Sequence, residues 1–167
     1  MGIITKMKQM VAMKYYPWRI RKKAAKCGNG LYCGGKSWVT NNTYLGKHVN
    51  FNGMGISGNG KVEIGDYFHS GVGCQIITSF HNYEGNKIPY DEQFLDKDVY
   101  IGDCVWFGNN VIVLGGVKIG EGAIIQAGSV VCKDIPAFGI AGGHPATVFK
   151  YRDKEHYLKL KERGNFH

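Results

Sequence analysis

The cysteines and histidines of this chain are its most chemically able side chains, and their spacing narrows what they can do. Cys27, Cys33, Cys74, Cys104 and Cys132 are odd in number and form no CxxC or zinc-finger pattern with nearby histidines, which predicts reduced thiols rather than a disulfide framework or a metal site. A zinc centre built on three histidines is disfavoured because the next histidine after His81 is His144. An imidazole changes protonation near neutral pH and can act as a general base. His81 ends the stretch ITSFH and precedes a polar loop holding Glu84, Asp91 and Glu92, to which no role is assigned. No P-loop or Rossmann glycine-rich turn is present to hold a phosphate group.

The element that must position these groups is legible as a repeat. From Ile101 the chain reads IGDCVW, FGNNVI, VLGGVK, IGEGAI, IQAGSV and VCKDIP without a slipped residue. The first position is always apolar, namely Ile101, Phe107, Val113, Ile119, Ile125 and Val131. The fifth is small or aliphatic, as in Val105, Ala123 and Ser129. A period of six fits neither a helix nor a plain two-residue alternation; it suits a short strand and a tight turn, three of which close a triangular coil with the first positions stacked inside. The same pattern runs from Leu45 and again from Ile64 to His81, where Ser70 is the one non-apolar first position. The predicted fold is all-β, a parallel β-helix spanning residues 31–148 with a loop excursion over 82–99. It is preceded by a basic helical segment at 1–30, in which Pro17 breaks or restarts the helix, and followed by a C-terminal helix and tail at 149–167 with Asp153 as N-cap.

Composition agrees with a turn-rich globular β protein: 44% of residues are hydrophobic, and 25 glycines stand against 4 prolines. The net charge of +8 is concentrated at one end, since no Asp or Glu precedes Glu63. The basic segment from Lys6 to Lys26 allows peripheral contact with the inner membrane surface or packing within the protein. No recognition helix, RNP-like motif or zinc finger accompanies the charge, so nucleic acid is not an expected partner. No apolar run is long enough to span a membrane and no secretory leader is evident, making the cytoplasm the expected compartment.

Residues 50–150 resemble the hexapeptide-repeat acetyltransferases, the family that includes maltose and galactoside acetyltransferases and many polysaccharide O-acetyltransferases. The resemblance rests on IGDCVWFG for the family's IGxNVWIG, QAGSVVCKDIP for GAGSVVTKDIP, and AGGHPATVF for xxGNPAKVI. It implies a left-handed winding, His81 as the catalytic base, and an oxyanion donor near Asn109. It implies acetyl coenzyme A as co-substrate, held by Trp106, Asn109, Ala127, Ser129, Cys132, Lys133 and Lys150, with Asn50 touching the acceptor. Cys132, His144 and Thr147 depart from the family's usual Thr, Asn and basic residue.

The implied activity is O-acetylation of a saccharide hydroxyl, in a surface polysaccharide or its precursor, by a homotrimer with active sites between subunits. N-acetylation of a free or nucleotide-linked amino sugar is the enzymatic alternative. A β-helix scaffold without catalysis is the other.

Overall fold

The computed structural model describes the backbone of residues 3–167 and the side chains of residue 11 and residues 13–167. Met1 and Gly2 of the expected basic segment lie outside the described residues. Helix α1 (Ile3–Lys23) runs through Pro17 without a break, which corrects the expected interruption. A proline ring clashes with and unpairs the carbonyl four residues earlier, here Met13; Met13 is exposed, so solvent replaces the lost bond.

Next come about six turns of a parallel β-helix with three walls. The first wall holds β1 (Lys26–Cys27), β3 (Thr43–Leu45), β6 (Val62–Ile64), β11 (Val99–Ile101) and β14 (Lys118–Ile119). The second holds β2 (Tyr32–Cys33), β4 (Asn50–Phe51), β7 (His69–Ser70), β12 (Trp106–Phe107), β15 (Ile124–Ile125), β17 (Gly139–Gly143) and the antiparallel β18 (Ala146–Tyr151). The third holds β5 (Met54–Ser57), β8 (Cys74–Ile77), β13 (Ile112–Leu114) and β16 (Val130–Val131). Between β8 and β11 an antiparallel hairpin, β9 (Ser79–His81) and β10 (Phe94–Asp96), leaves the corner between the third and first walls. Asp153 caps α2 (Lys154–Glu162) by accepting the His156 N–H at 2.9 Å.

The hexad pattern becomes three inward columns. Leu45, Ile64, Ile101, Ile119 and Ile135 stack from the first wall, Ile56, Ile76, Val113 and Val131 from the third, all buried. In the second wall the column is Phe51, Ser70, Phe107, Ile125 and Ala141. Ser70 is small for a reason. The fully buried ring of Phe68, at the fifth position of the preceding hexad, fills the volume beside it and meets Phe51 and Phe107 edge to face at 5.9 and 5.0 Å. Restoring the apolar consensus with Ser70→Leu overpacks this layer and is expected to cost about 1–3 kcal/mol in a urea unfolding measurement. Adding Phe68→Ala to the same chain should recover part of that loss.

The corners follow a hydrogen-bond rule. An Asp or Asn on one coil accepts the backbone N–H of the matching residue on the coil before it: Asp66 from Lys47, Asp103 from Asp66, Asp98 from Lys61, Asp134 from Lys118, and Asn109 from Val72, at 2.7–2.9 Å. These short polar side chains replace the bonds that a tight turn cannot form with its own backbone.

Candidate active site

His81 ends β9 and projects from the corner between the third and first walls, exposed to solvent. Its ring lies between two aromatic side chains of its own hairpin, stacked on Tyr90 at 3.8 Å and 17° and tilted against Phe94 at 4.5 Å. Neither ring nitrogen has a hydrogen-bond partner among the described residues, leaving both free for substrate. The loop is pinned rather than loose: buried Asp91 accepts from Gln93 N–H at 2.9 Å and from the Asn82 amide at 3.2 Å, and the Asn82 and Asp91 backbones are also bonded. Asp91 therefore holds the hairpin, and Lys87 pairs with Glu92. Tyr90, Phe94 and Asn82 were not singled out from sequence; aromatic residues in a polar stretch were the available signal.

A second group sits at the corner between the second and third walls. Trp106 projects from β12 and is 52% exposed. Asn109 and Ala127 follow at matching positions of successive coils, with Gly128 N–H donating to Asn109 O at 2.7 Å. Here the corner rule stops. Asn109 caps Val72, but its own N–H faces Ala127, whose methyl cannot accept, and among the described residues it has no acceptor. The Ala127 N–H is likewise unpaired, because the matching residue on the next coil is Gly143. His144 bonds through Nε2 to the Gly128 carbonyl beside them.

The other expected cofactor residues lie elsewhere. Cys132 and Lys133 are exposed just after β16, at the opposite edge of the third wall, on the corner that also launches the His81 hairpin. Lys150 is exposed on β18, opposite Ile140. The Ser129 side chain is fully buried, its hydroxyl donating to Gln126 O at 2.7 Å and accepting from Gly143 N–H at 3.2 Å. A crowded inner corner demands a small residue, and a buried hydroxyl must be paired.

On the outer face of the second wall, Tyr32, Asn50, His69 and Trp106 are aligned. They line a cavity of about 590 Å³ closed by Leu160, Phe166 and His167. The Phe166 ring stacks on Tyr67 at 4.0 Å. Burial, followed by the nearby His167, holds the His69 imidazole below its ordinary range. Asn50 Oδ1 is buried there without a hydrogen-bond partner among the described residues. The cavity brings Asn50 and Trp106 together; His81 is not among its lining residues.

A family model described as bacterial transferase hexapeptide (six repeats) matches residues 98–133. The galactoside O-acetyltransferase of Lactococcus lactis is 38% identical over 111 residues, 62% of this chain and 53% of that protein. That of Escherichia coli is 32% identical over 123 residues, 71% of this chain and 60% of that protein. Relatives from Staphylococcus aureus are 51–53% identical over 57 residues. The chain spans from 29% to 60% of the length of these curated relatives. A galactoside acetyltransferase solved in complex with coenzyme A superposes with a TM-score of 0.73 at 24% identity, covering 92% of this chain and 82% of that one; this likeness shows the left-handed β-helix fold. A maltose O-acetyltransferase from Clostridium difficile superposes with a TM-score of 0.66 at 27% identity, covering 90% of this chain and 83% of that one. In repeat, fold and motif-bearing corner, the chain carries the bacterial transferase hexapeptide repeat and is similar to the hexapeptide-repeat acetyltransferases.

Proposed function

We propose that the protein transfers acetyl from acetyl coenzyme A to a saccharide hydroxyl, in a surface polysaccharide or its precursor, within the cytoplasm. The observation that carries this reading is the free N–H of Asn109 on an exposed corner, in line with the free Ala127 N–H and beside Trp106. A carbonyl placed there meets a preorganised donor that no protein group competes for. His81 takes the proton from the acceptor hydroxyl as its oxygen attacks the thioester carbon. The oxyanion that forms is held by Asn109 N–H, the C–S bond breaks, and the imidazolium returns its proton to the leaving thiolate. Trp106 and Ala127 line the donor's path, Cys132 flanks it, and Lys133 and Lys150 face its phosphates. Of Ser129 only the main chain is available to the donor. The unpartnered Asn50 carbonyl accepts from an acceptor hydroxyl.

The distribution of these groups supports a trimer. His81, Cys132 and Lys133 lie on one edge of the third wall, and Trp106, Asn109 and Ala127 on the other. A neighbour placed against that wall, whose outward residues include Ile77, Ile112, Leu114 and Val130, brings the two sets together between subunits.

Thiol release from acetyl coenzyme A in the presence of galactosides, maltose and cell-surface glycans tests the activity. No release with any acceptor, together with no acetyl coenzyme A binding by calorimetry, would overturn it. The shared site has its own test. Co-expressed His81→Ala and Ala127→Asp chains, each inactive alone, should regain about a quarter of wild-type activity, the fraction of sites in random trimers that draw both intact halves. A monomer that turns over sinks the trimer.

Tyr90→Ala removes one of the faces that hold His81. It should lower kcat by up to about tenfold, the worth of one aromatic stack. The KM for acetyl coenzyme A and the unfolding midpoint should stay put, since Tyr90 is exposed.

A further inference from the structure

Over its described side chains, helix α1 is attached by one side. Ile20 is buried, Tyr16 and Ala24 pack against the core with it, and together they close the first coil. At 3.6 residues per turn, Val11, Tyr15, Trp18 and Lys22 share the face opposite Ile20. Val11 is 66%, Tyr15 45% and Trp18 58% exposed, and the last two rings lie 6.4 Å apart. Lys14 and Arg21 border this apolar stripe on one side, Arg19 and Lys23 on the other. Arg19 lies 5.6 Å from the Tyr15 ring centre. Among the described residues, the ion pairs involve Lys61, Lys87 and Lys161, and Lys14, Arg19, Arg21, Lys22 and Lys23 are in none of them. No acidic residue occurs anywhere before Glu63.

An exposed stripe of valine, tyrosine and tryptophan edged by these cations is suited to the boundary between water and lipid, where the rings sit among headgroups and the cations meet phosphates. The same charge opposes a second copy of the chain, because two such faces would set cation against cation. We infer that α1 docks the protein on the surface of an anionic lipid bilayer, through Val11, Tyr15 and Trp18 and the basic residues around them. The His81 hairpin follows β8 in the third coil, two coil steps or roughly 10 Å beyond the first coil, so docking leaves it accessible. The inference stands independently of acetyl transfer.

Cosedimentation of the full chain with vesicles tests it. Partition onto phosphatidylglycerol-containing vesicles should exceed partition onto phosphatidylcholine vesicles by about tenfold or more and weaken as salt is raised. Trp18→Ser, and separately Arg19→Glu with Lys22→Glu, should each reduce binding by about tenfold, whereas Arg19→Lys should preserve it. Thiol release with a water-soluble acceptor should be the same in all these chains. Equal partition onto both vesicles, or no sedimentation with either, would overturn the inference. So would a Trp18→Ser chain that still binds vesicles fully but changes its oligomeric state, which would place this face between subunits.

Discussion

His81→Ala is expected to lower kcat by about 10²- to 10⁴-fold, the range for removal of a positioned general base. The KM for acetyl coenzyme A should change little, because the proposed donor site is the Trp106 and Asn109 corner, away from His81. Stability should fall by no more than about 1 kcal/mol, since the exposed His81 ring has no hydrogen bond among the described residues and loses only its stacking on Tyr90 and Phe94; circular dichroism and urea unfolding check this alongside the kinetics. His81→Asn keeps a planar polar group between Tyr90 and Phe94 but cannot take the proton, and should be nearly as inactive. A kcat within about threefold of wild type for either variant would remove His81 from the reaction, because base catalysis is worth far more than that.

Ala127→Asp is expected to separate catalysis from stability. Five corners of the prism show an Asp or Asn receiving the N–H of the preceding coil. An aspartate at 127 would receive Asn109 N–H in the same way and take it from the oxyanion. Loss of one such donor costs about 10²–10³-fold in kcat. The added corner bond should leave the free energy of unfolding unchanged or raise it by about 1 kcal/mol. Steady-state kinetics with a urea titration reads both. A chain less stable and less active would mean that the carboxylate disrupts the corner, and full activity would exclude Asn109 as the donor. Most losses of activity on mutation accompany losses of stability; this substitution should reverse that relation because it adds a corner bond of the kind seen elsewhere in the prism while occupying the proposed donor.

Much of the fold was legible because a hexad repeat is a local code. Apolar first positions, small fifth positions and turn glycines state the period and the inward columns without knowledge of any distant contact, and Asp153 announces its helix through the same kind of local bond. Pro17 was misleading for a physical reason: one missing hydrogen bond is tolerated where its carbonyl reaches water. Ser70 read as a flaw in the repeat, and only packing explained it, since the ring that fills its place comes from Phe68.

By itself the sequence determined the prism, the existence of a loop excursion after His81, and the positions of His81, Trp106, Asn109 and Ala127 relative to the repeat, because each is written within a few residues of a repeating unit. Tertiary structure decided what those positions have to offer. It buried the Ser129 hydroxyl, clasped His81 between Tyr90 and Phe94, left Asn109 N–H without an acceptor, and set the expected coenzyme residues on opposite edges of one wall. These properties depend on which coil stacks on which and on what the next coil fails to supply, and a period of six residues carries no record of that.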